Sequence, residues 1–284
     1  MQRTFLAQVK KRIGRRWLYG LMATVMACTA TLATPQASQA GWLDLIFNGI
    51  QYIQLANMSD RQEVTIGRQI DSQLKRQGLR VYSDDSAVDN YIDAIGASLV
   101  PHSDRPDLPY NFQVVRDEGV NAFATLGGQV YIQEGLIREA ANEAELVGVM
   151  AHEIGHITGR HSIEQMKQVA IQRGILGALG ANQDLLVNIG VELALNRPNS
   201  RSAERDADRR GFDMMGQAGY DQRGIRDFMQ KLTEGGSPPE FLSTHPNPSN
   251  RVEYLNEWLN EEAVPTATAG MNNAAYQAQV NQFL

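Results

Sequence analysis

Two histidines four residues apart with a glutamate beside the first, Ala151-His152-Glu153-Ile154-Gly155-His156, are the residues of this chain whose types and spacing carry chemistry most directly. Four residues are about 1.1 helical turns, so both imidazoles reach one metal ion from one helix face. Glu153 sits about 100° round, where a carboxylate meets water on the ion's open side. This is the H-E-x-x-H arrangement of zinc peptidases, in which the glutamate is the general base. The competing reading, polar residues on a solvated face, sits poorly with an otherwise apolar helix and only five histidines in 284 residues.

Catalytic zinc takes three protein ligands and leaves one position open, so a third ligand is required. His161, nine residues after His152, is predicted to point about 180° away on the same helix. The segment Ser200-Arg201-Ser202-Ala203-Glu204-Arg205-Asp206-Ala207-Asp208 offers a better candidate. On a helix starting near Ser202, Glu204 and Asp208 share a face, so Glu204 is expected to ligate zinc and Asp208 to accept a hydrogen bond from a ligand histidine. Taken alone, these acids among arginines read as a solvated face with ion pairs, and it is their place downstream of H-E-x-x-H that favours the ligand reading.

The elements that position these groups follow from patterning. Ser59-Asp60 with Glu63, and Asp85-Ser86 ahead of Val88, Tyr91, Ile92, Ile95 and Leu99, start two helices over 59–77 and 87–100. Residues 110–116, 120–125 and 129–132 lean to strands, with Gly127-Gly128 as a hairpin signal, so a small antiparallel sheet is expected. Asn142 and Glu145 at capping-box spacing open the motif helix. Further helices are predicted over 163–179, 183–196, 202–218, 223–234 and 249–262. The fold class is therefore α+β, a mainly helical zincin-like domain over 59–262. Residues 41–58 form a preceding segment, and the uncharged Ala/Asn/Gln-rich stretch 263–284 reads as a flexible C-terminal tail.

The first forty residues differ from the rest. They hold Arg3, Lys10, Lys11, Arg12, Arg15 and Arg16 and no acid, then an uncharged run from Trp17 to Thr34, then Ala37-Ser38-Gln39-Ala40. That order predicts a signal peptide cleaved after Ala40, with an uncleaved anchor and lipidation at Cys28 as alternatives. Cleavage takes six of the 26 basic side chains and none of the 32 acidic ones, which moves the formal charge from -6 to -12. It also removes the only cysteine, so thiol and disulfide chemistry is excluded. An acidic chain with no basic face excludes nucleic acid as a partner.

With these residues in view, the chain resembles the HtpX-type and CAAX-prenyl-endopeptidase superfamily of gluzincin metallopeptidases, and within it the soluble periplasmic BepA-like branch. The resemblance rests on the motif with Glu204 and Asp208 and runs across most of 59–258. It includes Val120-Asn121-Ala122-Phe123-Ala124, Gly127-Gly128 before Val130-Tyr131, His161, Ala218-Gly219-Tyr220-Asp221, and Ser243-Thr244-His245-Pro246 followed by Arg251. Leu126 stands where a proline often precedes the glycine pair, and no tetratricopeptide repeats follow residue 262, so repeat-mediated partner binding is not carried over. The resemblance implies one Zn2+ per chain, His245 as oxyanion stabiliser or as a latch that closes the site, and Arg251 fixing its loop through a carboxylate. It also implies unfolded or misassembled envelope proteins as substrates, with membrane association left open. Asn121, Phe123 and Gly128 of the hairpin are the expected platform for a substrate strand. A chaperone or assembly factor whose zinc site His245 keeps closed is the rival reading, and a structural zinc protein is a third.

Overall fold

The computed structural model describes residues 55, 57–83, 86–175, 182–196, 198–234, 241, 244–245, 248–261 and 269–284. The expected signal peptide, Cys28, nearly all of segment 41–58 and the end of the helix anticipated to residue 179 lie outside them.

Ser59 caps the first helix, α1 (Asp60–Arg76), in a reciprocal capping box whose partner is Gln62. Glu63 therefore plays no part in the cap. It is buried and receives Arg105 at 2.8 Å and Arg160 at 3.0 Å. Ser86 caps α2 (Ala87–Leu99) by accepting from the Asp89 backbone N–H. The strands are β1 (Asn111–Val115), β2 (Ala122–Ala124) and β3 (Gln129–Gln133). They form a mixed sheet rather than an antiparallel one, in the order β1-β3-β2. β2 and β3 are the hairpin the glycine pair announced, but β1 pairs parallel to β3. The reason is that residues 116–121 carry the chain from β1 to the opposite edge of the sheet, so that β3 returns between β2 and β1. Strand patterning does not encode that choice.

After α3 (Glu134–Glu139) comes the motif helix α4 (Glu143–Thr158), whose Asn142 cap accepts from the Glu145 backbone N–H. Every residue of α4 from Ala144 to Thr158 is buried, so it is the central rod of the domain and not a surface amphipathic helix. Its neighbours are β2, the hairpin turn, and the helices α5 (His161–Gln172), α7 (Arg201–Gln217) and α8 (Arg223–Glu234). The crossing with α7 is close because both sides lack bulk. A Cβ on Gly155 would lie 2.5 Å from the Ala207 carbonyl oxygen, and one on Gly211 would lie 3.0 Å from the His152 nitrogen. Only glycine admits that approach, and it sets Glu204 and Asp208 against the two motif histidines.

The helix α6 (Gln183–Asn196) packs on α1 and α5 over a second apolar cluster that includes Ile70, Leu126, Tyr131 and Met166. Among the described residues the remaining helices are α9 (Pro248–Glu261) and α10 (Asn273–Phe283). The second of these corrects the expectation of a flexible tail. Tyr276 and Val280 are buried on it, the Tyr276 hydroxyl donates to the Ile137 carbonyl at 2.6 Å, and Gln277 donates to the Ala140 carbonyl at 2.9 Å. Composition is a weak guide there, because two apolar side chains at i and i+4 and a few backbone hydrogen bonds suffice to dock a short helix.

Candidate active site

His152, His156, Glu204 and His245 converge, all buried, with ligand-type atoms within 4.8 Å of one another. His152 Nε2 lies 3.0 Å from His156 Nε2 and 3.6 Å from Glu204 Oε2, and His156 Nε2 lies 3.3 Å from Glu204 Oε1. His245 Nδ1 lies 3.3 Å from both Glu204 oxygens and 3.3 Å from His152 Nε2. Ligands about 2.0–2.2 Å from one tetrahedral ion stand roughly 3.4 Å apart, so these separations suit a single zinc, and the two-nitrogen, one-oxygen donor set with a further histidine is ordinary for it. The residues present therefore fit the ion.

The residues behind this cluster hold it in place. Asp208 Oδ1 accepts from His152 Nδ1 at 2.8 Å, which fixes His152 with Nε2 toward the centre. Arg251 closes on Asp208 with two hydrogen bonds, at 2.6 and 2.8 Å, and donates to Glu204 Oε2 at 3.0 Å. Tyr254 donates its hydroxyl to the other Asp208 oxygen. Burial alone would raise the Asp208 carboxyl, but Arg251 and then His152 outweigh it and hold the group well below the usual carboxylate range. Glu204 is lowered in the same way, against burial, by His245 and Arg251. Burial and then Arg251 lower His152, which keeps it a neutral imidazole.

His245 behaves oppositely. Burial pulls it down, but Glu204 and then Glu153 prevail and place it at about 9. It is thus an imidazolium in the metal-free protein, with Nδ1 facing Glu204 and Nε2 donating to the Ala122 carbonyl at 3.2 Å. Nε2 also lies 3.3 Å from Glu153 Oε1, yet that oxygen has no hydrogen-bond partner. The single Nε2 proton is spent on Ala122, and Glu153 keeps a buried, unsatisfied lone pair aimed into the site.

Beside Glu153 and His156 a narrow cleft of about 30 Å³ is lined by Phe123, Leu126, Met166 and Leu193. β2 pairs with β3 through one edge, so the backbone groups of Ala122 and Ala124 point away from that pairing. Of the three platform residues expected from the sequence, Phe123 lines the cleft, stacked on Tyr131 at 4.6 Å. The other two serve differently. Asn121 Oδ1 accepts from the Thr244 hydroxyl at 3.3 Å and so anchors the residue next to His245. Gly128 has φ +90, and a Cβ there would meet the Pro109 carbonyl at 3.0 Å, so it allows the close packing of the turn.

His161 also departs from expectation. α4 ends at Thr158, Arg160 adopts left-handed φ 55, and a new helix starts at His161. The ring therefore turns back and places Nδ1 2.8 Å from His156 Nδ1. The expectation of an opposite face holds only for a continuous helix, and the Gly159-Arg160 pair is the signal in the sequence against one. Asn199, whose Nδ2 lies 3.4 Å from His156 Nε2, joins the site without any motif to mark it.

Comparison with known proteins adds to this geometry. The family described as Peptidase family M48 matches residues 86–259. The chain is 30% identical, over 75% of its length, to a beta-barrel assembly-enhancing protease of Yersinia pestis, 47% of which is covered. It is 32% identical over 63% of its length to mitochondrial metalloendopeptidase OMA1 of Schizosaccharomyces pombe, with 55% of that protein covered. Metalloprotease YcaL of Escherichia coli is 27% identical over 75% of this chain and 85% of its own length. The chain spans less than half the length of the beta-barrel assembly-enhancing relatives, 47%, 38% and 44% in the first three.

Proposed function

The chain belongs to peptidase family M48, and from that premise we propose that it is a zinc-dependent endopeptidase acting on unfolded or misassembled envelope proteins. The carrying observation is the buried convergence of His152, His156, Glu204 and His245 around one point, with the Glu153 oxygen unsatisfied beside it. Zinc, when bound, supplies a Lewis acid that polarises a peptide carbonyl and makes water acidic at neutral pH. His152, His156 and Glu204 would hold it. Glu153 takes the proton of the attacking water and returns it to the leaving amine. Asp208 keeps the proton of His152 on Nδ1, and Arg251 keeps Asp208 and Glu204 ionised and still. Backbone groups of Ala122 and Ala124 bind an extended peptide as an added strand, which demands little of its sequence.

His245 supports a resting, closed state of this same enzyme. It stands in the fourth position of the cluster and its Nε2 occupies the Ala122 carbonyl that an incoming strand would use. The misassembled-substrate reading draws on the name of the beta-barrel assembly-enhancing relatives and on the signal-like residues 1–40, which also favour an extracytoplasmic location. Among the described residues no helix is long and apolar enough to cross a membrane.

Casein cleavage measured together with zinc content tests this reading. Wild type should bind one zinc and cut; Glu153→Gln should bind zinc and not cut; His245→Ala should cut faster. A Glu153→Gln protein that still cleaves overturns the mechanism. Loss of cleavage in His245→Ala with zinc retained assigns His245 to oxyanion stabilisation instead of closure.

A further inference from the structure

The outward nitrogen of the second motif histidine, His156 Nδ1, meets no carboxylate directly. His152 Nδ1 meets Asp208 directly at 2.8 Å, whereas His156 Nδ1 faces another imidazole, His161 Nδ1, also at 2.8 Å. His161 Nε2 in turn lies 3.1 Å from Asp206 Oδ2, and Arg210 Nε donates to that same oxygen at 2.6 Å. One arrangement of protons satisfies the whole chain. An ionised carboxylate only accepts, so His161 carries its proton on Nε2 and donates to Asp206. A neutral ring protonated there has a bare Nδ1, which accepts. His156 must then carry its proton on Nδ1, which leaves its Nε2 lone pair directed at Glu204 and His152.

The backbone is built around this contact. Arg160 holds a left-handed conformation, φ 55, that costs a non-glycine residue energy. Its side chain answers that cost by donating to the Met58 carbonyl at 2.6 Å and to Glu63 at 3.0 Å. Gly159 leaves the space the ring needs: a Cβ there would lie 2.5 Å from His161 Nε2 and 2.9 Å from Asp206 Oδ2.

We propose that His161 is a positioning residue for the metal, relaying the hold of Asp206 onto His156 so that His156 presents Nε2 to the ion. The relay rests on the reading of His156 as a ligand. It gives the two histidines unlike supports, one a direct carboxylate and one a carboxylate acting through a second imidazole, reached only because the helix breaks at Gly159-Arg160.

The experiment is competitive Zn2+ titration of the full chain against a chromophoric chelator, with no activity readout. His161→Phe, which fills the volume without an acceptor, should weaken zinc about 10–100-fold, the range for lost support of a ligand histidine. His161→Asn, whose amide oxygen accepts from His156 Nδ1–H, should stay within about threefold of wild type. Gly159→Ala, which displaces the ring without altering any relay side chain, should fall between them. Unchanged affinity in His161→Phe overturns the relay while the metal site stands. Equal loss in His161→Phe and His161→Asn also overturns it, since packing alone would then explain the effect. If His161→Phe does not fold, Gly159→Ala and Asp206→Ala decide, and wild-type affinity in both refutes the proposal. Failure of wild type to bind zinc at one per chain overturns both the relay and the enzyme reading.

Discussion

Replacing Arg251 with methionine should destabilise the metal-free protein severely, and the structure sets the size of the effect. Arg251 is 2% exposed and makes two hydrogen bonds to Asp208 and one to Glu204, which are themselves 0% and 2% exposed. Methionine matches much of the volume and none of the charge. Asp208 would keep only His152 and Tyr254, and Glu204 only the histidines. Removing one partner of a buried ion pair costs about 3–5 kcal/mol, because the remaining charge stays desolvated. For a domain of this size each kcal/mol lowers the melting temperature by about 2–4 °C, so the loss should be about 6–20 °C. Differential scanning calorimetry of chelator-treated protein measures it. Arg251→Lys, which keeps the charge but loses the planar fork, should recover only part of the loss. Saturating zinc should raise the melting temperature of Arg251→Met by more than it raises wild type, since the ion replaces a cation beside Glu204. A methionine variant that melts within about 2 °C of wild type would refute the view that Arg251 neutralises this site, given the scale expected per kcal/mol.

His245 stands at about 9 in the metal-free protein against an ordinary 6.5. A group raised on folding contributes stability that is complete below its unfolded value and disappears as pH climbs through the folded one. Chelator-treated protein should therefore lose on the order of 3 kcal/mol between about pH 6.5 and 9. Denaturant titrations across that window should show the slope in wild type and not in His245→Gln; equal slopes would assign it to another group. The docked C-terminal helix makes its own demand. Tyr276→Phe should cost about 1 kcal/mol for the lost hydrogen bond to Ile137, and Tyr276→Ala about 3–5 kcal/mol for the emptied aromatic site. Chemical denaturation measures both, and a neutral Tyr276→Ala would mean that the helix is not docked in solution.

Legibility in the sequence tracks how local the determining interactions are. Helix starts are readable because a cap is a contact between neighbours: Ser86 and Asn142 each accept a backbone N–H three residues on, whereas the helix expected to start near Ser202 starts at Arg201 on a Ser200 cap. The pairing of His152 with His156 and of Glu204 with Asp208 is readable because four residues return a helix to one face. The parallel pairing of β1 with β3, the role of Asn121 beneath Thr244 and the turn of His161 onto His156 are not, since each joins groups through the path of the intervening chain. Even Glu63, whose position suggests a helix start, gives its carboxylate to two arginines 42 and 97 residues away.

What the sequence alone determined is therefore the chemistry on offer: two imidazoles and a base on one helix, two acids on another, and no thiol outside the first forty residues. The tertiary structure decided which of these groups meet. Gly155 and Gly211 let the two helices approach until their backbones nearly touch, and only at that separation do Glu204 and Asp208 reach the histidines. It also decided that His245, 89 residues beyond the motif, returns to the same point and stands over both the cluster and the outer edge of β2. Spacing along a helix is fixed by covalent geometry, but the distance between helices is fixed by packing, and the site is made from both.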